Sequence, residues 1–406
     1  MSFRRMLRLL ALAAGVVLLL LPGAACASEH RSFLELSTGD FTNFCPWDES
    51  CFSPAGRVYY NRVDGLLTYF GFQYRTDTRL HPRLRAMLGW PSAHGASYYQ
   101  IEIEQPVHSQ DSFSFGVNLY DKSSWSMEDD ENITDFGNNM HALWAREDER
   151  DYWRAEGVTV FAQHKATPSL TFRVEYRSDR LESMTAKESV WTVFNRDDEW
   201  RENPSLMVGV LDGAREFEGR MNSYVWSVRY DSVNDSRTNG WLGKGVFEFG
   251  GKTAGGDYEF RKHLIDVTRL LPITETQTLT LRGVWGLASG TDYPSHKLFH
   301  LGGRGDLRGY DYKEFSGKDL IFGRVEYTVQ MNDSIDMIYF LESGKVSYGS
   351  TTEDSDDSDG HLHDAGIGVY AEAPWGGWVR LDVAKAIADD SDVKVHVGLF
   401  VDLQEE

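Results

Sequence analysis

The chain contains many segments in which apolar and polar residues alternate one by one. Between residues 321 and 330, Ile321, Val325 and Tyr327 fall on one side, whereas Arg324 and Glu326 fall on the other. A period of two is that of a β-strand, whose successive side chains point to opposite faces. The same alternation recurs in the segments 99–104, 113–119, 170–177 and 393–403. The sequence therefore predicts an antiparallel sheet with one apolar and one charged face.

The hydropathy of the chain bears on whether this sheet crosses a membrane. After Leu21 no uninterrupted apolar stretch is long enough for a spanning helix, and the mean hydropathy is −0.42. A barrel strand crosses with about 9–11 residues and is apolar only at every second position, so its mean hydropathy stays polar. A soluble β-sandwich would show the same alternation. We favour a membrane barrel because the strands are long for a sandwich, aromatic residues cluster at strand ends, and short and long connections alternate.

The connection lengths allow the strands to be counted, because outer-membrane barrels keep short turns on the periplasmic side and long loops outside. Counting from the C-terminus places these connections outside: 387–392, 351–364, the loop around Arg308, 252–257, 181–219 and 123–155. The short turns inside are then 374–377, 332–336, 272–276, 235–240, 165–169, 108–111 and 76–82. The count reaches sixteen strands only if Arg57–Asn61 is itself the first strand.

The N-terminus has the features of a secretory signal peptide: basic residues, an apolar run over 9–21, and small residues before an expected cleavage after Ala27. A lipoprotein interpretation would make Cys26 the lipidated residue, but Gly23 stands where such cleavage sites usually have Leu. We therefore divide the chain into a signal peptide (1–27), a short periplasmic or plug segment (28–56) and an outer-membrane β-barrel (57–406).

Two cysteines, Cys45 and Cys51, remain after removal of the signal peptide, and five residues separate them. In an exported protein this spacing predicts a small disulfide loop. A metal or redox pair would need CxxC spacing or neighbouring His residues, and the segment has neither.

A glycine-rich loop, with the sequence LGGRGDLRGY over 301–310, precedes the alternating segment 321–330. Its four glycines allow the backbone to turn tightly inside a narrow pore. Arg308, on such a loop in a polar lumen, would need a carboxylate partner, ideally in bidentate geometry. The alternative is that Arg308 is simply exposed on an extracellular loop.

The order of features from Tyr230 to Leu403 resembles that of the bacterial surface antigen barrels, the superfamily of BamA and TamA and of the two-partner secretion pores. Three motifs carry the resemblance: 230–240 (YDSVNDSRTNG), which is similar to the turn entering the ninth strand; 301–303 (LGG) followed by 307–310 (LRGY), the sixth-loop motif; and 374–377 (PWGG) with Leu381-Asp382, the last hairpin. The resemblance implies a transmembrane antiparallel β-barrel whose sixth extracellular loop folds into the lumen.

The resemblance also implies that Arg308 contacts acidic residues on the twelfth and thirteenth strands, here Glu326 and Glu342. The family motif on the thirteenth strand is usually Phe-x-Asp-x-Gly, whereas this chain has Glu342 in place of Asp, between Phe340 and Gly344. The longer carboxylate can still reach a guanidinium. We call the following set the loop lock, with an expected structural or gating role: Leu307, Arg308, Gly309, Tyr310, Glu326, Phe340, Glu342 and Gly344.

Other residues that could carry chemistry are weaker candidates. The acidic segment 353–364, with His361 and His363, does not have the spacing of an EF-hand, so we expect a solvated loop and no metal site. The pair His296 and His300 is spaced for a helix but lies in a loop. No GxSxG motif is present, and GLASG at 286–290 places its Ser one position late. We expect neither an enzyme nor a cofactor.

The charge and the domain organisation limit the partners. With 62 acidic against 41 basic residues, a net charge of −21, nucleic acid is not an expected partner. Family members that insert or secrete proteins usually carry periplasmic polypeptide-transport-associated domains, but only 28–56 precede the expected first strand. We therefore expect such client capture only if a separate periplasmic subunit supplies it.

Two functions remain open. In the first, the protein inserts or translocates proteins at the bacterial outer membrane, through a weak seam between its first and last strands. Its partners would then be unfolded outer-membrane or secreted proteins, besides outer-membrane lipid and lipopolysaccharide. In the second, it is a gated or sealed pore, or a lipid-handling or structural barrel, without protein clients. A seam that is fully paired would favour the second.

Overall fold

A computed structural model describes residues 50–76, 82–107, 112–126, 133–209, 214–217, 219–233, 239–348, 360–373, 377–387 and 392–401. The predicted signal peptide, Cys26 and Cys45 lie outside these residues, and Cys51 is described only as part of a strand backbone. Most of the acidic segment 353–364 lies outside them as well. The candidate disulfide therefore stays a prediction.

Sixteen strands form one antiparallel sheet, in which every strand pairs with its neighbours in the chain. They are β1 (Ser50–Asn61), β2 (Gly65–Thr76), β3 (Arg83–Pro91), β4 (Tyr98–Pro106), β5 (Phe113–Ser124), β6 (Trp153–Thr167), β7 (Leu170–Ser183), β8 (Arg220–Asp231), β9 (Gly240–Gly250), β10 (Phe260–Thr274), β11 (Gln277–Ser289), β12 (Asp319–Asn332), β13 (Ile335–Ser347), β14 (Leu362–Glu372), β15 (Gly377–Ala386) and β16 (Lys394–Val401). The predicted number of strands is confirmed.

The first strand is longer than the sequence predicted. β1 begins at Ser50 rather than at Arg57, and its early residues pair with the end of β2, Ser50 opposite Thr76 and Gly56 opposite Phe70. The segment 50–56 contains Pro and Gly and does not alternate, so its sequence has no strand pattern. Backbone hydrogen bonds to β2, which need no particular side chain, hold it in the sheet.

The distribution of side chains between the two faces decides what kind of sheet this is. Apolar residues of the alternating segments are exposed, with 48% of Ile103, 45% of Val325 and 60% of Val395 accessible. Charged residues on the opposite face are buried, among them Glu248 and Glu342. A soluble sandwich would have the reverse arrangement, so that alternative is wrong. An apolar exterior around a charged interior is the pattern of a membrane barrel. Among the described residues no helix is long and apolar enough to cross a membrane.

The long connections carry the additional structure. The β5–β6 connection contains a helix, α1 (Asp135–Ala145), which begins at Thr134, whose hydroxyl accepts the Gly137 N–H. The β7–β8 connection contains the short pair Met207–Val208 and Arg215–Glu216. The β11–β12 connection, which we call loop six, contains a 3-10 turn and a small hairpin of Phe299–Leu301 and Phe315–Gly317.

Candidate functional site

Loop six turns sharply between the two strands of its hairpin. Gly302 and Gly303 have φ values of 110° and 102°, which L side chains rarely adopt. A Cβ at Gly302 would lie 2.2 Å from the carbonyl oxygen of Asp311. The Gly302 N–H donates to the Asp306 carbonyl at 2.9 Å, which closes the turn. These glycines therefore allow the loop to fold back tightly on itself.

The turn delivers Arg308 into the interior of the sheet, where only 1% of the residue is accessible. Its backbone N–H and its Nε donate to the two carboxylate oxygens of Glu342, at 2.9 and 3.2 Å. Nη2 donates to Glu326 at 3.0 Å, and Nη1 donates to Asp382 at 2.8 Å. The guanidinium also lies 3.8 Å from the centre of the Phe340 ring. Three carboxylates on β12, β13 and β15 thus share one loop cation.

Two further arginines bind the same carboxylates. Arg380 on β15 donates to Asp382 at 2.8 Å and to Glu326 at 2.9 Å, and Arg324 on β12 donates to Glu342. The three arginines and three acids balance in charge, which is needed because an unpaired charge in such an interior would be costly. The lock is therefore a network in which each carboxylate has at least two cationic donors.

The remaining loop-lock residues lie around this network. The Gly309 N–H donates to Asp364 on β14 at 2.5 Å, and the buried Tyr310 hydroxyl donates to the His363 carbonyl at 3.4 Å. The Leu307 side chain is fully buried, and its φ of 57° turns the chain towards Arg308. A Cβ at Gly344 would lie 2.8 Å from Leu301, so the glycine leaves room for the loop. All eight residues of the loop lock lie together.

The residues that complete the network were not predicted as its members: Asp382, Asp364, Arg324, Arg380 and His396. His396 on β16 lies 2.7 Å from the carbonyl oxygen of Arg308, so loop six also reaches the last strand. The alternation places Arg380 and Asp382 on one face of β15, and Arg324 and Glu326 on one face of β12. This placement of charged residues on the same face of a strand was the signal that could have predicted them. The alternation does not show which strands surround the same loop, because that depends on the curvature of the barrel.

The four histidines that the sequence singled out have side chains outside this ion-pair network. His300 contacts Ser316 in the small hairpin of loop six, at 3.0 Å. His296 packs against the Trp153 ring, with 4.8 Å between the ring centres. The His361 and His363 rings stack 6.4 Å apart. None of these four histidines contacts Glu326 or Glu342 through a described hydrogen bond.

The seam between the first and last strands is the second feature of the site. β1 and β16 stand at the two ends of the strand order, and no backbone pairing joins them in the part of the chain that the structure describes. An edge strand presents backbone N–H and C=O groups to which another strand can bind. Among the described residues, the seam is therefore not closed by a β-ladder.

Comparison with known proteins agrees with this geometry. The model of the Omp85 superfamily domain matches residues 83–399. The outer membrane protein assembly factor BamA of Nitratidesulfovibrio vulgaris is 26% identical over 206 residues, which are 46% of this chain and 26% of that protein. The chain thus spans about a quarter of the length of this curated relative.

The solved structure of a BamA barrel shows the same fold. BamA from Haemophilus ducreyi lacking POTRA domains 1–3 superimposes with a TM-score of 0.58 at 12% identity, over 87% of this chain and 70% of that one. CdiB from Escherichia coli gives a TM-score of 0.48 at 12% identity, over 89% and 64% of the two chains. The resemblance to the bacterial surface antigen barrels is confirmed. This chain belongs to the Omp85 superfamily and forms a sixteen-stranded β-barrel of the bacterial outer membrane.

Proposed function

We propose that this protein inserts or translocates proteins at the outer membrane, and that the seam between β1 and β16 is where it does so. The proposal rests on this seam, across which the described strands form no backbone pairing. In a bilayer every backbone polar group needs a partner, so two unpaired edges would be costly unless they exchange partners as part of the function. The curated relative with the matching segment is named as an outer membrane protein assembly factor.

The chemistry of an edge strand defines the client. A free strand edge binds an extended segment through main-chain hydrogen bonds, and side-chain pockets then select among segments. Unfolded outer-membrane proteins supply strands of this kind, with alternating apolar and polar residues. We therefore infer that the clients are unfolded outer-membrane or secreted proteins, and that the chain acts without making or breaking covalent bonds.

The loop lock supports this role by tying together the last strands of the barrel, next to the seam. Arg308 ties loop six to β12, β13 and β15, and Arg308 and His396 connect the loop to β16. The last strands thus have a fixed frame even though β16 has only one neighbour in the sheet. A separate periplasmic subunit and lipopolysaccharide are further proposed partners.

The alternative is a gated or sealed pore, or a lipid-handling or structural barrel, without protein clients. A fully paired seam would favour that alternative, and the described strands do not show one. We therefore favour insertion or translocation.

A cross-link across the seam tests the proposal. Cys45 and Cys51 are first replaced by Ser, and Cys is introduced at Val58 in β1 and Val397 in β16. The protein is reconstituted in vesicles, and the folding of an added unfolded outer-membrane barrel is followed with and without a bismaleimide that joins the two thiols. We expect the joined protein to lose the acceleration that the unjoined protein gives, while both single-Cys variants keep it.

Equal acceleration by the joined and unjoined proteins would show that the seam is not used. Depletion in cells provides an independent measurement, by quantitative proteomics of the outer-membrane and secreted fractions. An unchanged inventory in both fractions would contradict the proposed function itself.

A further inference from the structure

The helix α1, although it belongs to the β5–β6 connection, lies against both edges of the seam. Asn139 contacts β1, and Thr134, at the start of the helix, contacts β16. β5 and β6 are several strands away from either edge in the sheet order, so these contacts join elements that are far apart in the sheet. These contacts are therefore not a consequence of local chain geometry.

On β1, one side chain satisfies two backbone groups of the free edge. The Tyr60 N–H donates to Oδ1 of Asn139 at 2.9 Å, and Nδ2 of Asn139 donates to the Val58 carbonyl at 3.2 Å. Residues two apart on a strand present their backbone groups to the same side. A neighbouring strand would offer β1 one donor and one acceptor at this place, and the Asn amide offers the same pair.

On β16, the same arrangement involves the helix and loop six. The Thr134 hydroxyl donates to the Leu399 carbonyl at 3.0 Å and accepts the Gly137 N–H at 3.0 Å, so it caps the helix and binds the strand at once. Arg304 of loop six donates to the Val397 carbonyl and contacts His141 on the helix at 3.1 Å. Val397 and Leu399 are again two apart, which places both carbonyls on one edge.

The helix is fixed by buried contacts of its own. Asn138 donates to Asp148 and to the Tyr152 hydroxyl, both at 3.1 Å. The fully buried Arg62, in the turn between β1 and β2, donates to the Asp148 carbonyl at 2.8 Å. The carbonyls at the end of the helix accept backbone N–H groups of Val193 and Phe194 from the β7–β8 connection. The helix thus lies at the seam in a cap to which the β1–β2 turn, the β7–β8 connection and loop six also contribute.

We propose that α1 is the gate of the seam. It holds the barrel closed by occupying, through Asn139 and Thr134, backbone groups of both edges that a strand would otherwise bind. The further step, that a client strand pairing with β1 near Tyr60 must first displace Asn139, rests on the proposed function. A few side-chain bonds hold the gate, whereas a full strand pairing makes a ladder of backbone bonds, so an incoming strand can replace the helix.

The first experiment measures the opening of the seam in the reconstituted protein, without any client. Asn139→Ala removes both bonds to β1 and puts a good helix former in its place. We expect amide hydrogen exchange at Tyr60 to rise about tenfold, because a lost hydrogen bond is worth about a factor of ten, and openings in planar bilayers to become more frequent. Trp144→Ala is the matched control, since Trp144 lies on the same helix with 47% of the residue exposed and its ring against Phe194.

Unchanged exchange and conductance in Asn139→Ala would overturn the gate, and so would an equal rise in Trp144→Ala, which would indicate general loosening of the helix. Thr134 gives a second measurement on the β16 side. Thr134→Val removes the hydroxyl and should raise the frequency of openings, whereas Thr134→Ser keeps the hydroxyl and should behave as the unmodified protein. Equal behaviour of the Val and Ser variants would contradict the role of the hydroxyl.

The second experiment tests displacement with a synthetic peptide of the chain's own residues 392–401, an alternating strand. We expect about tenfold tighter binding to Asn139→Ala than to the unmodified protein, because the peptide no longer competes with the Asn amide. Equal affinities would overturn the displacement step. Faster exchange at Tyr60 without any peptide binding would support the gate and contradict strand capture by β1, so the two failures are distinguishable.

Discussion

At the scale of single residues, the central feature is Arg308, a charged residue of loop six that is buried inside the barrel. Arg308 is tolerated there because Glu326, Glu342 and Asp382 surround it and because the Phe340 ring packs on its flat face. A planar guanidinium spreads its five donors over three nitrogens and so reaches three separate carboxylates, whereas the three donors of an ammonium group all lie on one nitrogen. The position therefore selects for arginine and not only for positive charge.

Arg308→Ala leaves three buried carboxylates with only the two strand arginines. We expect a loss of about 3–5 kcal/mol in the free energy of unfolding, the usual cost of removing one partner from a buried ion pair. Arg308→Lys should recover only part of it. Urea unfolding in detergent micelles measures both, with Arg261→Ala, an exposed arginine on β10, as the control. Equal stabilities of the Arg308 and Arg261 variants would refute the loop lock.

The glycine next to Arg308 makes a steric prediction. A Cβ at Gly309 would lie 2.5 Å from the backbone nitrogen of Ala386 and 2.7 Å from the Asp364 side chain, so something must move. We expect Gly309→Ala to cost about 1–3 kcal/mol of stability, as overpacking usually does. Gly283→Ala is the control, because nothing lies within 4 Å of its Cβ position. The prediction is wrong if the two substitutions have the same effect in thermal unfolding.

At the scale of elements, four connections that are distant in sequence form one cap. Asp151, between α1 and β6, accepts from Lys313 of loop six at 2.8 Å, from Arg201 of the β7–β8 connection at 2.5 Å and from Arg62 at 3.3 Å. Burial raises the pKa of Asp151, but Lys313 and Arg201 outweigh it, so the pKa lies below its ordinary value of 3.8. The carboxylate is thus charged in the cap.

Because the pKa of Asp151 is lowered in the folded protein, its contribution to the free energy of unfolding should decrease as the pH falls. A group whose folded-state pKa is depressed stabilises the fold above its unfolded pKa, and that contribution is lost as the pH falls through the folded value. We expect Asp151→Asn to be about 1–3 kcal/mol less stable at pH 7, and this difference to shrink steadily below about pH 4. Chemical unfolding of both proteins at several pH values measures it; a difference that is constant with pH would contradict the assignment.

The sequence predicted an element only where its side chains follow a regular pattern. β12 was predicted because Ile321 and Val325 face lipid while Arg324 and Glu326 face the interior. The start of β1 was not, since the residues before Arg57 enter the sheet through backbone bonds. α1 lay inside a segment predicted only as an extracellular loop. Its position against β1 and β16 depends on contacts between residues that are far apart in the sequence. The local periodicity of the sequence cannot predict such contacts.

At the scale of the whole molecule, the bilayer fixes which face is apolar. Val325 lies on the exterior of β12 and is 45% accessible, whereas its neighbours Arg324 and Glu326 lie on the interior face. The interior combines the ion-pair network with buried apolar clusters, such as the one that contains Leu301, Leu307 and Phe322. Stability therefore comes from lipid contact outside, and from ion pairs and apolar packing inside.

A charge on the outer face should disturb this division. We expect Val325→Arg to cost about 2–4 kcal/mol if the position lies near the bilayer midplane, as such substitutions do in barrels of this kind. Thr328→Arg, on the opposite face of the same strand, is the control and should cost less. The folded fraction recovered in lipid vesicles, resolved by its altered gel mobility, gives the comparison. A larger loss from Thr328→Arg would contradict the assignment of faces.

The partners of Arg308 also impose an order in time on how the molecule is made. Glu326, Glu342 and Asp382, and also His396, all follow Arg308 in the chain, on β12, β13, β15 and β16. Arg308 cannot reach its final surroundings before those strands stand side by side. Arg308 is thus buried only after the C-terminal quarter of the chain has assembled. Docking of loop six is therefore a late step in the completion of the barrel.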